Sequence, residues 1–370
     1  VTFTLTDEQR ELAATVAEFL AKTSPEQQVR RLMECGGAAD PAAWSQMTTQ
    51  LGLTGLIVPE RYGGGGFGFL DFAVVAEQAG AALVVAPLLS TVTAAAVLML
   101  STDEDLKAEY LPSLASGQRV ATLALAEATG SWDPASVRTT VASGPDGPRV
   151  TGEKMYVVDG QFADVFVVSA RADDGSIGLY AVEAAHAEAT PLQTLDMTRP
   201  QARVVFTAAA ARPLAGQSTA AEVTERALAT SAILLSAEQV GGAQRCLDMS
   251  VDYAKVRVQF GRPIGSFQAI KHKCADMLLA VESARSAAYY AASALDGASA
   301  ADVLAAAALA KAHCSTAYTR VAAENIQIHG GIGFTWEHPA HLYFKRAKTS
   351  ELLFGDPAWQ RERLAALVGI

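Results

Sequence analysis

The chain has 370 residues, half of them apolar and few aromatic, with a formal net charge of −10. That length supports two or three folded units with sizeable, mainly aliphatic cores. The acidic balance argues against nucleic acid and against an anionic membrane surface as partners.

At the N-terminus, Thr6 followed by Gln9 reads as a capping box that opens a helix. Leu12, Val16, Phe19 and Leu20 then share one helical face. The polar run Thr6-Asp7-Glu8-Gln9 argues against a signal peptide, so the expected location is cytoplasmic. Arg61-Tyr62-Gly63-Gly64-Gly65-Gly66 lacks the lysine and hydroxyl residue of a phosphate-binding loop, and a flexible turn is expected there. No charge interrupts Gln78 to Thr102, a stretch long enough for a bilayer. Pro87 divides it, however, and Ser90, Thr91 and Thr93 follow. Two buried helices meeting at Pro87, with no membrane span, are expected.

From about 119 the period shortens. Arg149 to Val158, Asp164 to Ala170, Ser176 to Val182 and Ala202 to Thr207 are β-like runs. Turn formers such as Pro145-Asp146-Gly147-Pro148 and Asp173-Asp174-Gly175 separate them, which suggests an antiparallel sheet or small barrel. After about 222 the helical period returns. One helix is expected to run to Phe260 and stop at Gly261, with Pro263 beyond. Ser266 can cap the next, whose apolar stripe is Phe267, Ile270, Cys274, Met277, Leu278 and Val281. Further helices cover roughly Ala300 to Ile328 and Pro357 to Leu367.

Cys35, Cys246, Cys274 and Cys314 form no Cys-x-x-Cys pair and read as buried free thiols. His329 and His338 have no carboxylate or cysteine at ligand spacing, so no metal site is expected. Glu127, Glu337 and Asp356 read as solvated surface acids.

Two stretches carry a family resemblance. They are Arg257-Val258-Gln259-Phe260-Gly261-Arg262-Pro263-Ile264-Gly265-Ser266-Phe267-Gln268-Ala269-Ile270-Lys271-His272 and Gln327-Ile328-His329-Gly330-Gly331-Ile332-Gly333-Phe334-Thr335. Both closely resemble signatures of the FAD-dependent acyl-CoA dehydrogenase family, in the family's order and at its approximate separation. The resemblance implies an α+β, mainly α fold in three parts: an N-terminal α-helical domain (1–118), a middle antiparallel β-barrel domain (119–222) and a C-terminal four-helix bundle (223–370). It also implies an acyl-CoA substrate, FAD, and an oligomer in which these segments reach the adenosine and pyrophosphate half of a neighbour's FAD. Carried over, Arg257, Gln259, Phe260, Gln268, Gln327, Gly330 and Gly331 bind the cofactor. Their chemistry suits that task. Arg257 offers a cationic fork, Gln327 a donor and an acceptor, and the glycines allow close backbone approach.

The resemblance fails where the family places its general base. After Lys345-Arg346-Ala347-Lys348, Phe354 stands at the usual glutamate position, and phenylalanine accepts no proton. Asp356 and Glu351 are the substitutes on the same loop. At the alternative base position, on an earlier helix, stands Ser231, with Glu225 and Glu238 out of register. The flavin-facing motifs have drifted as well: Trp132 replaces a serine, and Tyr156-Val157-Val158 replaces Trp-Ile-Thr. What a subunit uses on its own flavin is damaged; what it lends to a neighbour is intact. The chain therefore resembles the base-lacking partner in actinobacterial α2β2 dehydrogenases of sterol side chains, including its Glu337-His338-Pro339-Ala340-His341-Leu342-Tyr343-Phe344 run. A self-sufficient homo-oligomeric dehydrogenase with a displaced base, and a flavin monooxygenase or oxidase on the same scaffold, are the alternatives.

Overall fold

The structure, a computed structural model, describes residues 4–145, 147–214 and 220–370. Asp146 of the expected turn lies outside the described residues. The helices are α1 (Asp7–Thr23), α2 (Glu26–Glu34), α3 (Pro41–Ser45), α4 (Phe69–Ala81), α5 (Leu88–Leu98) and α6 (Glu104–Ala115). The strands β1 (Ala121–Ala124), β2 (Thr140–Gly144), β3 (Gly147–Val158), β4 (Val165–Arg171), β5 (Ile177–Glu183), β6 (Ala187–Pro191) and β7 (Gln201–Pro213) follow. Then come α7 (Ala220–Val256), the short strands β8 (Val258–Gln259) and β9 (Arg262–Pro263), α8 (Gln268–Leu295), α9 (Ala300–His329), α10 (Ala340–Leu352) and α11 (Pro357–Val368). By internal contacts the chain divides into two compact units. One comprises Val1–Arg31, Ala73–Val84 and Ala232–Ile370; the other comprises Leu32–Phe72 and Val85–Ser231.

The second unit holds the sheet. β4 pairs with β1, β2 and β5, and β2–β3–β7–β5 completes the path, with β6 added on β7. The expected antiparallel order is not kept throughout. β1 runs parallel to β4, and β2 meets β4 in parallel through Thr140 and Arg171. Inward residues of β3, β4 and β7 form an aliphatic core, in which the rings of Phe166 and Phe206 meet edge to face at 5.8 Å. The other face of β1, β4 and β5 packs on α5 and α6 through Val97, Leu98, Leu111, Val165 and Leu179. α5 begins directly after Pro87, but α4 already ends at Ala81, so a short loop separates the two helices and they do not meet at the proline. Among the described residues no helix is long and apolar enough to cross a membrane. The glycine loop is more ordered than a simple turn. Gly65, Gly66 and Phe67 donate to the carbonyls of Gly55, Val58 and Leu56, and a Cβ on Gly64 would lie 2.1 Å from the Val58 oxygen.

In the first unit α1 opens on its capping box: Gln9 N donates to Thr6 Oγ1 at 3.2 Å, and Thr6 N to Gln9 Oε1 at 3.1 Å. Val16 and Leu20 face inward. The end of α4 and the middle of α7 nearly touch. A Cβ at Gly241 would lie 1.7 Å from the Glu77 oxygen, and one at Gly80 1.9 Å from the Glu238 oxygen. Beside this crossing Glu77 accepts from Arg285 Nε at 3.0 Å and from Tyr289 OH at 2.7 Å.

Helix direction in this unit decides where the motifs meet. α7 and α9 are joined by Gln239 Nε2 donating to Ser315 Oγ at 3.0 Å, by Ser250 Oγ donating to Asn325 Oδ1 at 2.9 Å, and by Tyr253 stacked on His329 at 4.3 Å. Both numbers in each pair rise together, so the two helices run parallel and end at the same level. α8 runs the other way against α9: Cys314 Sγ donates to the Ala284 oxygen at 3.3 Å, while Lys273 nearer the start of α8 pairs with Glu324 nearer the end of α9. The start of α8 therefore shares that level.

Four expectations need correction here. The cysteines are free, but only Cys246 and Cys314 are buried; Cys35 is exposed and Cys274 half-buried. The helix ends at Val256, not Phe260. Phe260 (φ 53) and Gly261 (φ 76) form the two-residue left-handed turn of a hairpin between β8 and β9. Ser266 caps nothing: it closes a 3-10 turn, and Phe267 stands at the N-cap of α8. On α8 Met277 and Val281 are buried, but Leu278 is exposed, because the facing helix covers a narrower stripe than the sequence period suggests.

Candidate functional site

The parallel run of α7 and α9, with α8 reversed between them, brings the two signature stretches to one end of the bundle. Arg257, Gln259 and Phe260 lie on the hairpin that follows α7. Gln268 opens α8, Gln327 lies in the last turn of α9, and Gly330 and Gly331 follow it. Residues some 70 positions apart in sequence thus share one surface. Arg257, Gln259, Gln268 and Gln327 are all exposed, and among the described residues no ion pair engages Arg257. Phe260 is 92% exposed and Phe334 is 83% exposed, and Trp336 also stands in water. Apolar rings beside unengaged polar groups are the mark of a surface built to be covered. Gly330 has φ 64, and a Cβ on Gly330 or Gly331 would meet nothing within 4 Å, so there is room for a ligand against this backbone. A guanidinium, three amide side chains and open glycine backbone fit the donor needs of a dinucleotide pyrophosphate.

The region expected to carry a base has a different character. Phe354 is buried, with φ 59, between α10 and α11. Its carbonyl accepts from Gln360 Nε2 at 2.7 Å. Lys311, wholly buried on α9, donates to the carbonyls of Glu351 and Gly355, both at 3.0 Å, and to Ser315 Oγ at 2.9 Å. Burial pulls the Lys311 ammonium down to about 7, against the pull of Cys314, Glu351 and Asp356. Each substitute acid already has a structural task. Asp356 caps α11 by accepting from Trp359 N at 2.9 Å. Glu351 pairs with Lys348 and accepts from Thr319 Oγ1 at 3.2 Å. Glu238 is buried against Arg346, whose Nη1 donates to it at 2.9 Å. Ser231 donates to the Ala227 carbonyl within its own helix at 2.7 Å, and Glu225 is half-buried on α7.

Glu127 is not the solvated acid expected. It accepts from the wholly buried Lys154 Nζ at 2.9 Å, from Thr139 N and Oγ1 at 2.8 Å, and from Arg138 N. Burial raises its carboxyl, but the Thr139 amide and Lys154 outweigh that and leave it below its ordinary range. Lys154 is drawn down by burial to about 8, and it also donates to the Leu125 carbonyl and Ser169 Oγ. In the same unit a bulge after Lys154 turns Tyr156 outward at φ 58, leaving Val157 and Val158 buried. Among the described residues no cluster of His, Cys, Asp and Glu could hold a metal.

A cavity of about 490 Å³ lies in the first unit, lined by Leu20, Glu26, Leu83, Arg245, Met249 and Tyr343 among others. None of the signature residues line it. The sequence reading missed Lys311. Its signal was a lone cation among alanines on the buried face of α9.

Comparisons with known proteins give the family. Residues 6–118 match the model of the acyl-CoA dehydrogenase N-terminal domain, and residues 221–369 that of the C-terminal domain. The chain belongs to the acyl-CoA dehydrogenase family. It is 36% identical over 364 residues to acyl-CoA dehydrogenase IpdE2 of Mycolicibacterium smegmatis, covering 98% of this chain and 100% of that protein. Among solved structures it resembles a variant of the Tcur3481-Tcur3483 steroid ACAD, with TM-score 0.91 and 28% identity over 99% of each chain. It also resembles the ChsE4-ChsE5 complex from Mycobacterium tuberculosis, with TM-score 0.90 and 28% identity, over 100% of this chain and 99% of that one.

Proposed function

We propose that this chain is the base-lacking subunit of a heteromeric, FAD-dependent acyl-CoA dehydrogenase, and that it completes a flavin site on a partner subunit. One contrast carries the reading. The residues Arg257, Gln259, Phe260, Gln268, Gln327, Gly330 and Gly331 lie exposed on this chain, whereas position 354 is a buried phenylalanine and Glu238, Glu351 and Asp356 each hold partners of their own. Desaturation of an acyl-CoA requires a carboxylate within reach of the α-proton and ionised when needed. Here the partner subunit supplies it. Bound FAD would provide the hydride acceptor. Arg257, Gln259, Gln268 and Gln327 hold its polar half, and Phe260 screens it from water. The two-component names of the steroid ACAD and the ChsE4-ChsE5 complex support the heteromer, and the word steroid in the first supports a bulky acyl group.

The experiment is to purify the chain alone and together with a base-bearing acyl-CoA dehydrogenase subunit. The chain alone is expected to be colourless and inert. The complex is expected to be yellow and to be bleached by a steroid acyl-CoA. A yellow lone chain that acyl-CoA bleaches would overturn the reading in favour of a self-sufficient enzyme with a displaced base.

A further inference from the structure

Two segments 70 residues apart can grip one ligand only if their spacing is held fixed. In this chain the spacing runs through three rings. Tyr253 lies one turn before Arg257, and its carbonyl accepts from Arg257 N at 2.8 Å. His329 ends α9, two residues after Gln327. The Tyr253 and His329 rings stack with centroids 4.3 Å apart and planes at 28°. His338, in the segment that follows the glycine turn, lies against the same His329 ring at 4.2 Å. His329 Nδ1 faces the Asn325 carbonyl at 2.8 Å; a carbonyl only accepts, so Nδ1 carries the proton and the ring orientation is fixed. Asn325 in turn accepts from Ser250 on α7.

We infer that Tyr253, His329 and His338 form a positioning stack that fixes the Arg257 hairpin relative to the Gln327–Gly331 segment. This inference rests on the proposed cofactor role of those segments. It adds that the grip is set by residues that need not touch the cofactor. A packing role alone would be met by any apolar side chain of similar volume in this buried place. A positioning role needs flat rings, because a stack fixes orientation as well as separation. The end of α7 bears the hairpin directly, so a tilt of Tyr253 moves Arg257.

The test compares His329→Leu, which keeps bulk without a flat ring, with His329→Phe, which keeps the ring. Backbone amide exchange is followed in the chain alone at residues 258–264 and 330–335. FAD affinity is measured in the complex with the base-bearing subunit. His329→Leu should speed exchange in both segments and weaken FAD binding about tenfold, and His329→Phe should restore both. Faster exchange confined to 330–335, or equal behaviour of the two variants, overturns the inference. If no variant or wild-type complex binds FAD, the proposed function fails, while the exchange data still decide whether the stack couples the two segments.

Discussion

Lys311 Nζ donates to the carbonyl oxygen of Gly355 at 3.0 Å, from inside the bundle to the turn beside Phe354. With the Glu351 carbonyl and Ser315 Oγ, the ammonium spends all three protons on fixed acceptors. Gln360 holds the Phe354 carbonyl from α11. The turn is thereby fixed in a left-handed backbone whichever side chain stands at 354.

Lys311→Met should cost about 2 kcal/mol near neutral pH, since two buried carbonyls lose their donor. The effect depends on pH. Lys311 lies at about 7 in the folded chain, against 10.5 for an ordinary lysine. Between those values the unfolded chain binds more protons, so the residue's contribution to stability rises with pH and is least below about 7. The gap between wild type and variant should therefore widen from neutral to alkaline pH in urea unfolding. A constant gap would mean that the lysine keeps its proton when buried.

Glu127→Gln should destabilise the sheet-bearing unit by about 3 kcal/mol, because Lys154 is left as a buried charge without its counterion. Adding Lys154→Met should recover part of that loss. A double-mutant cycle on thermal unfolding measures the coupling, and strictly additive losses would count against a coupled pair.

Gly241→Ala should cost about 3 kcal/mol, the upper end of overpacking penalties, since the new methyl group would overlap the Glu77 carbonyl. Gly297→Ala, where a Cβ meets open space, serves as the control and should be nearly neutral. Circular dichroism melts of both variants check the contrast.

Arg257→Gln and Gln327→Ala sit on exposed positions, so each should change the stability of the lone chain by less than about 0.5 kcal/mol. In the complex each should lower the flavin content measured by absorbance after dialysis. Undiminished flavin in both variants would remove these residues from the cofactor site.

Much of this was legible in the sequence because the signals were local. Thr6 and Gln9 sit three residues apart and cap as written, and the β-branched runs of β3, β4 and β5 read directly as strands. β1, written Ala-Thr-Leu-Ala, did not, since it takes its strand identity from a parallel partner some 40 residues away. Glu127 looked like a surface acid because its lysine lies 27 residues further on. The hairpin at 258–263 was hidden because Phe260 is not a residue that ordinarily adopts left-handed backbone; Gly261 marked the stop without revealing the turn back. The signature residues were named individually from their motifs, yet their meeting at one end depends on the directions of α7, α8 and α9, which no local pattern encodes.

Phe260, Phe334 and Trp336 standing in water have a consequence for the cell as well as for the cofactor. A freshly made copy presents sticky rings before anything has covered them, and such surface recruits chaperones, proteases or other nascent chains. In the proposed heteromer, balanced supply of the partner subunit would then set how much of the protein survives. Recombinant expression in isolation should therefore lower the soluble yield without abolishing it, and matched dosage of a base-bearing subunit should raise it.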